Sequence, residues 1–269
     1  MSLSRRAYRL FREQGVRGVV NGGKRKIVGY FDPVYQHIKP TYRRYSVGPA
    51  SAEFDMSRRR LGRYDFVDDL RSEQTLIQHI LSVLEEDDVF YDIGANIGIY
   101  TCLVASQLGT GTVTAFEPTP DAFEILERNV ERNDINAELF NVALSNRNGT
   151  TKMSINGQTG HQFSGEDGTL EIETRRADDL IAERGISPPD ICKIDIEGAE
   201  YLALDGFRKT LYESECRHIF CEVHTEKIEA IGGSADEVEN LLRELGFELE
   251  YLGDRRKNYF VEATRQVSK

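Results

Sequence analysis

The chain has 269 residues, enough for one large domain or for one domain with an appendage. Its 39% hydrophobic and 29% charged residues are typical of a globular protein and argue against a disordered chain. No apolar run approaches the roughly 20 residues of a membrane-spanning helix, and no apolar segment follows the first arginines as in a secretory signal, so we predict a cytoplasmic protein. The four cysteines show neither paired nor zinc-type spacing, which predicts reduced thiols in the core.

Charge divides the chain into a basic part and an acidic part. Residues 1–63 carry 15 Lys and Arg against 4 Asp and Glu, whereas residues 64–269 carry 19 against 41. We therefore predict a basic, helical N-terminal extension over 1–63 and one domain over 64–269. The acidity of that domain argues against a nucleic-acid partner. The apolar and basic pattern of residues 1–30 predicts either peripheral membrane contact, which would suit a lipid-linked glycan acceptor, or docking of this arm on the acidic domain.

From residue 73 onward, helical and strand patterns alternate along the chain. In chain order we predict a helix over 73–85, a strand over 89–95, a helix over 99–108, a strand over 111–118, a helix over 121–132, a strand over 137–145, a hairpin-like insertion from 148–156 and 169–175, a short helix over 178–184, a strand running into a helix over 190–200, a strand over 217–224, a helix over 235–245, and closing strands over 247–253 and 258–265. Such alternation predicts an α/β fold with a mostly parallel sheet. The connection between the last two strands is too short for a crossover, so they must pair antiparallel.

The turn after the first of these strands carries the strongest chemical signal. Gly94 and Gly98 allow the positive φ that a tight turn needs, and Asn96 tolerates it. We expect the glycines to let the backbone approach a ligand closely, the helix N-terminus to offer N–H groups to a carboxylate, and Asp92 to accept a hydrogen bond from an ammonium. A ligand that carries both groups matches the amino-acid end of methionine.

Glu117 makes this interpretation more specific. It ends the second strand, 19 residues after Gly98, and Pro118 follows it directly. In doubly wound folds, an acid at this place accepts hydrogen bonds from ribose hydroxyls. The alternative is an ordinary surface carboxylate at the end of a strand.

The blocks DIGANIGIYT, AFEPTPDAFEILERNV, NVALS and DICKIDIEGAEYLALDGF follow one another in this order. Together they resemble the FkbM-type methyltransferases of the class I superfamily that uses S-adenosylmethionine (SAM). The resemblance implies a Rossmann-like, seven-stranded sheet with one antiparallel strand near the C-terminus and helices on both faces. It also implies SAM as cofactor and O-methylation of a sugar, a glycan or another small hydroxyl or carboxylate acceptor. The cofactor-binding residues that it implies are Asp92, Gly94, Ala95, Asn96, Gly98 and Tyr100 at the methionine end, Glu117 and Pro118 at the ribose, and Ala143 and Leu144 beside the adenine.

Three residues near the ends of the later strands are predicted to be catalytic. Asp195 ends the strand that precedes Glu197 and Glu200, two acids that helix capping would also explain. Glu222 and His224 lie two apart near the end of the next strand, and His224 is the best candidate for a general base because its usual pKa is near neutrality. We predict no resident metal, although Asp195, Glu197 and Glu222 offer oxygen ligands for a cation.

Two other functions fit part of this pattern. An NAD-dependent oxidoreductase shares the glycine turn and the ribose acid, but the third glycine of G-x-G-x-x-G is missing and Asp92 occupies a usually apolar position. A non-catalytic scaffold at a membrane surface would have no need of Asp92, Glu117 and Asp195. The oligomeric state cannot be predicted from these patterns.

Overall fold

The computed structural model describes residues 42–55, 73–156, 160–165, 170–255 and 257–266. Its elements in chain order are β1 (Tyr42–Val47), β2 (Ala50–Asp55), α1 (Gln74–Val83), β3 (Val89–Ile93), α2 (Ile99–Ala105), β4 (Thr112–Phe116), α3 (Pro120–Arg132), β5 (Ala137–Phe140), β6 (Ala143–Leu144), β7 (Gly149–Asn156), β8 (Gly160–Gly165), β9 (Leu170–Arg175), α4 (Ala177–Arg184), β10 (Ile191–Ile194), α5 (Glu200–Gly206), α6 (Arg208–Glu213), β11 (His218–Val223), α7 (Thr225–Ala230), α8 (Ala235–Glu244), β12 (Glu248–Arg255) and β13 (Asn258–Thr264). Residues 1–41 lie outside the described residues, and the predicted membrane contact of residues 1–30 stays a prediction.

Seven strands form the central sheet, in the order β12-β13-β11-β10-β3-β4-β5. Every neighbouring pair is parallel except those of β13, which runs antiparallel to both β11 and β12. The predicted mostly parallel sheet with one reversed strand is therefore confirmed. From β3 the chain first builds outward through β4 and β5 and then returns to add β10 on the other side. The crevice between β3 and β10 is thus the topological switch point, where ligands bind in open α/β sheets.

Helices cover both faces of the sheet because alternate strand residues point to opposite sides. Phe90 of β3 packs in a core cluster with α1, α2 and α3, whereas its neighbour Tyr91 packs in a second cluster with α4, α5, α6 and α8. Both side chains are fully buried. Among the described residues, no helix has both the length and the apolar character needed to cross a bilayer.

The hairpin of β1 and β2 falls within the part of the chain that the sequence analysis assigns to the extension. Its buried side chains, Phe54 among them, belong to the same core cluster as α1, α2 and α3. The Asp55 carboxylate forms an ion pair with Arg128 at 3.1 Å, and the Asp55 backbone N–H donates a hydrogen bond to the side-chain oxygen of Asn129 at 2.8 Å. Residues 42–55 therefore pack as part of the domain, and the division after residue 63 stays a prediction.

The single strand predicted over 137–145 is wrong, because the chain leaves the main sheet after β5. β6 pairs instead with β9, in a second sheet of order β6-β9-β7-β8. A Cβ on Gly206 of α5 would lie 1.9 Å from the carbonyl oxygen of Ser145, so the glycine permits the backbone after β6 to pack closely against this helix. The insertion does contain the expected antiparallel pair, β7 with β9, and β8, which contains His161, adds an outer strand.

Candidate functional site

The turn after β3 has the backbone conformation that its sequence predicts. Gly94, Asn96 and Gly98 have φ of 83°, 53° and 86°. A Cβ on Gly94 would lie 2.0 Å from the carbonyl oxygen of Asp195, and one on Gly98 would lie 2.6 Å from the Leu126 side chain. We expected these glycines to make room for a ligand. In the structure they make room for the end of β10 and for α3, so the turn is fixed by neighbouring segments of the chain itself.

Asp92 lies at the end of β3 and is completely buried. Its Oδ2 accepts hydrogen bonds from the backbone N–H of Thr101 at 2.9 Å and from the Thr101 hydroxyl at 2.6 Å. Of the N–H groups that we expected at the start of α2 to be free for a carboxylate, that of Thr101 is thus bound to Asp92. Oδ1 accepts no hydrogen bond from the described residues, and neither does Oδ1 of Asn96, although the Lys193 ammonium lies 3.8 Å from Oδ1 of Asp92. Two such buried acceptors beside this turn fit the ammonium of a methionine moiety.

Glu117 lies at the end of β4 and is almost fully buried. Its Oε2 accepts from the Asn96 N–H at 2.9 Å, while Oε1 accepts from the Thr119 N–H at 2.8 Å and from the Thr119 hydroxyl. Burial raises the pKa of Glu117, against these hydrogen bonds, which lower it. The carboxylate therefore ties the β3 turn to the β4 turn and places an acid at the predicted ribose position. Asn141, which sequence reasoning missed, donates to the backbone oxygen of Glu117 at 2.7 Å.

The remaining predicted cofactor residues differ in exposure. Ala95 and Tyr100 are buried in the core cluster on the α2 side, and the Tyr100 hydroxyl donates to Glu73 at 2.8 Å. Pro118 and Ala143 are partly exposed. Leu144 is 2% exposed, and its side chain packs in the core cluster on the opposite face of the sheet from Ala95 and Tyr100.

The three predicted catalytic residues lie together where β10 and β11 end. His224 is 2% exposed and caps the start of α7. Its Nε2 lies 3.6 Å from Oε1 of Glu222 and 3.7 Å from Oδ1 of Asp195. Asn258 of β13 donates to Glu222 at 2.9 Å. The tertiary structure thus brings together residues that the sequence separates by up to 29 positions, from Asp195 to His224.

Glu200 has a role beyond the helix capping that the sequence left open. Its Oε1 is 2.7 Å from Nδ1 of His224 and also accepts the Gly198 N–H at 3.0 Å. Because an ionised carboxylate only accepts hydrogen bonds, Nδ1 carries the hydrogen and Nε2 is left as the basic nitrogen. Burial would lower the pKa of His224, but the hydrogen bond and charge of Glu200, together with Asp195 and Glu222, raise it above its usual value.

One turn places a further charged pair beside Nε2. Glu197 has φ of 58°, an uncommon value for a residue other than glycine, and its Oε2 lies 3.3 Å from Nε2 of His224. The ammonium of Lys227 contacts the same carboxylate. A Cβ on Gly198 would lie 2.7 Å from Cβ of Lys227, so the glycine permits this close approach. Sequence reasoning missed Lys227. Its position three residues after His224, at the start of a helix, could have predicted that the two side chains lie close together.

Asp195, Glu197 and His224 each present a ligand atom, and these atoms lie within 4.8 Å of one another. That spacing and donor set are compatible with one divalent cation. Two ammonium groups already supply positive charge here, since Lys227 contacts Glu197 and Lys193 lies 3.3 Å from Oδ2 of Asp195. The absence of a resident metal stays a prediction.

Comparison with known proteins decides between the functions that the sequence left open. The profile of the methyltransferase FkbM domain matches residues 92–249, which begin at Asp92 and include every predicted cofactor-binding and catalytic residue. The chain belongs to the FkbM methyltransferase family. The enzyme is therefore a methyltransferase, which replaces the alternatives of an NAD-dependent oxidoreductase and a non-catalytic scaffold.

Curated relatives of the methyltransferase support this assignment. It is 32% identical to hexuronic acid methyltransferase AglP of Haloferax volcanii, over 74% of this chain and 79% of the relative. It is 30% identical to 31-O-demethyl-FK506 methyltransferase FkbM of Streptomyces tacrolimicus, over 61% and 74%, and 28% identical to 2-O-methyltransferase NoeI of Sinorhizobium fredii, over 56% and 70%. A crystal structure of methyltransferase FkbM from Methylobacillus flagellatus has the same fold, with a TM-score of 0.50, 17% identity, and coverage of 68% of this chain and 45% of that one.

Proposed function

We propose that this methyltransferase transfers the methyl group of SAM to a hydroxyl oxygen of a sugar, in an acceptor of the hexuronic acid class. The acceptor class rests on the similarity to hexuronic acid methyltransferase AglP. The observation that carries the reaction type is the His224–Glu200 pair. An alcohol must lose a proton when it is methylated, and a buried imidazole whose Nδ1 is held by a carboxylate is built to receive that proton on Nε2.

One half of the crevice binds the cofactor and the other half, around His224, binds the acceptor. Asp92 and Asn96 present acceptors to the methionine ammonium, and Glu117 lies at the ribose. When bound, SAM supplies an electrophilic methyl group on a sulfonium centre. His224 accepts the hydroxyl proton while the acceptor oxygen takes the methyl group, and Glu200 stabilises the imidazolium that results. Since the leaving group is already activated, alignment of the two reactants accounts for much of the catalysis.

Labelled SAM tests this function directly. The protein is incubated with SAM carrying an isotopic methyl group and a glycan that contains hexuronic acid, and the product is analysed by mass spectrometry before and after mild alkali. A labelled methyl ether that survives alkali is the expected result. An alkali-labile methyl ester would identify a carboxylate acceptor and contradict the role of His224 as base, whereas no transfer to any sugar acceptor would contradict the proposed acceptor class.

Replacing Glu117 by alanine is expected to weaken SAM binding by about one to two decades, because hydrogen bonds to a charged acceptor contribute ~1.5–3 kcal/mol. The Asn96 and Thr119 N–H groups would also lose their acceptor. Isothermal titration calorimetry measures the effect. Glu117→Gln, which keeps one acceptor oxygen, serves as the matched variant and should lose less. An unchanged affinity in a folded Glu117→Ala protein would refute the ribose assignment.

The rate of methyl transfer is expected to rise with pH through a pKa above the usual value for histidine, since His224 must be neutral to act as a base. Glu200→Gln removes the nearest negative charge, so the pKa of His224 falls and the rise in the rate moves to lower pH. The maximal rate also falls, because the orienting carboxylate is lost. Initial rates across the pH range give both quantities, with Glu213→Gln, at an exposed glutamate, as the control. If the pH profile of Glu200→Gln matches that of the unsubstituted enzyme, another group titrates.

A further inference from the structure

A row of titratable side chains, in which acids alternate with basic groups, crosses the crevice from the cofactor half to the acceptor half. We name it the charge chain, and its members are Asp92, Lys193, Asp195, His224 and Glu200. The Lys193 ammonium lies 3.8 Å from Oδ1 of Asp92 and 3.3 Å from Oδ2 of Asp195. The other oxygen of Asp195 lies 3.7 Å from Nε2 of His224, whose Nδ1 is bound to Glu200.

Lys193, a member of the charge chain, has no role in the mechanism above. It lies in the middle of β10, in register with Asp92 on β3, and its side chain is 4% exposed. Its ammonium lies 4.7 Å from the centre of the Tyr100 ring. Its ammonium is directed at the carboxylates of Asp92 and Asp195, so any effect on the two substrates passes through these acids. Burying an ammonium is costly, and a well-packed apolar residue is often the more stable choice at such a position. The position therefore calls for an explanation other than stability.

We propose that Lys193 is a positioning residue that serves both halves of the active site. Its positive charge favours the ionised form of Asp92 at the cofactor, and its contact with Asp195 holds that carboxylate beside His224. This inference rests on the proposed SAM site, because it assigns Asp92 to the methionine ammonium. Beyond that function, the inference assigns a role to Lys193, which affects the reaction only through Asp92 and Asp195.

The surroundings of Asp92 explain why a neighbouring cation is needed. From α2, Thr101 donates two hydrogen bonds to the carboxylate, and burial together with the charge of Asp92 raises the pKa of the Cys102 thiol. The other charged groups are carboxylates at the ends of neighbouring strands, Asp195 after β10 and Glu117 after β4. Lys193 is a cation that offsets them. Burial raises the pKa of Asp92, and the charge of Lys193 together with the Thr101 hydrogen bonds opposes that rise.

The pKa of Lys193 itself is raised. Burial alone would lower it, but the charges of Asp195, Asp92 and Glu73 outweigh burial, so the ammonium stays protonated throughout the working range of pH. Without this ammonium, the pKa of Asp92 rises further, which favours the protonated carboxyl group. A protonated carboxyl group is a weaker acceptor for the methionine ammonium.

The test measures SAM affinity by isothermal titration calorimetry from about pH 6 to about pH 9, a range that spans a strongly raised carboxyl pKa. Lys193→Met is expected to bind SAM at least ~10-fold more weakly near pH 7, with the loss shrinking as pH rises and Asp92 ionises. Lys193→Arg, which keeps the positive charge, should restore most of the affinity at all pH values. At saturating SAM, turnover should fall in Lys193→Met and recover in Lys193→Arg, because Asp195 again has its partner. The control is Lys209→Met, at an exposed lysine, which should change neither quantity.

A merely structural role predicts a different result. A loss of affinity in Lys193→Met that is equal at all pH values, or no loss at all, would overturn the proposal. If Lys193→Met does not fold, Asp92→Asn and the double variant Asp92→Asn/Lys193→Met decide the question, since the double variant leaves no unpaired buried charge of this pair. The two should bind SAM equally, because Lys193 acts on the cofactor through the charge of Asp92, and a further tenfold loss in the double variant would contradict this. Failure of the unsubstituted protein to bind SAM would instead refute the proposed function.

Discussion

Replacing His224 by asparagine is expected to slow methyl transfer by about 10²–10⁴-fold while SAM affinity stays unchanged, because this is the usual contribution of a positioned general base. Asparagine suits the test, since its amide can still donate to Glu200 from the place of Nδ1 while the basic Nε2 is removed. Buried Glu200 then keeps a hydrogen-bond partner, so the loss of rate is separated from a loss of stability.

The measurement compares initial rates at saturating SAM with binding by calorimetry. His79→Asn is the control, because His79 lies on α1 and pairs with Glu262, away from the charge chain. Unchanged turnover in His224→Asn would show that the acceptor needs no base, as expected for a carboxylate. Loss of SAM binding together with activity would show that His224 supports the fold of the crevice and not the proton transfer.

Replacing Gly94 by alanine is expected to destabilise the domain on the order of 2–5 kcal/mol and to abolish SAM binding. Two costs add at this position. The added Cβ disfavours the φ of 83°, and it would lie 2.0 Å from the carbonyl oxygen of Asp195, where backbone must move. A shift there displaces the ends of both β3 and β10, and with them Asp92 and Asp195.

Urea unfolding of the variant gives the loss of stability, and Gly185→Ala is the matched control. Gly185 has φ of 67°, but a Cβ there would meet no atom within 4 Å. It should therefore cost only the conformational term of about 1–2 kcal/mol. Equal losses at Gly94 and Gly185 would show that backbone conformation alone matters, and normal SAM binding in Gly94→Ala would refute the importance of this contact for the site.

Local features of the site could be predicted from the sequence because each depends on a few neighbouring residues. The positive φ values of Gly94, Asn96 and Gly98 follow from what these residues tolerate, and the position of Glu117 follows from the length of the strand before it. The pattern of β10 and β11 likewise placed Asp195, Glu222 and His224 at strand ends. Where periodicity was the only guide it was less reliable, since residues 137–145 read as one strand but divide between two sheets.

By itself, then, the sequence determined the order of the elements, the conformation of the β3 turn and which acids end which strands, because turn chemistry and hydrophobic periodicity act over a few residues. The tertiary structure alone decided that Gly94 makes room for the backbone of Asp195. It also decided that Nδ1 of His224 forms its hydrogen bond with Glu200 and not with solvent, and that the Lys193 ammonium lies between the carboxylates of Asp92 and Asp195. These contacts join separate strands and helices, and their existence depends on the order and register in which the sheet is assembled. Burial then gives the contacts their effect, since charges removed from water interact far more strongly than the same residues would on an extended chain.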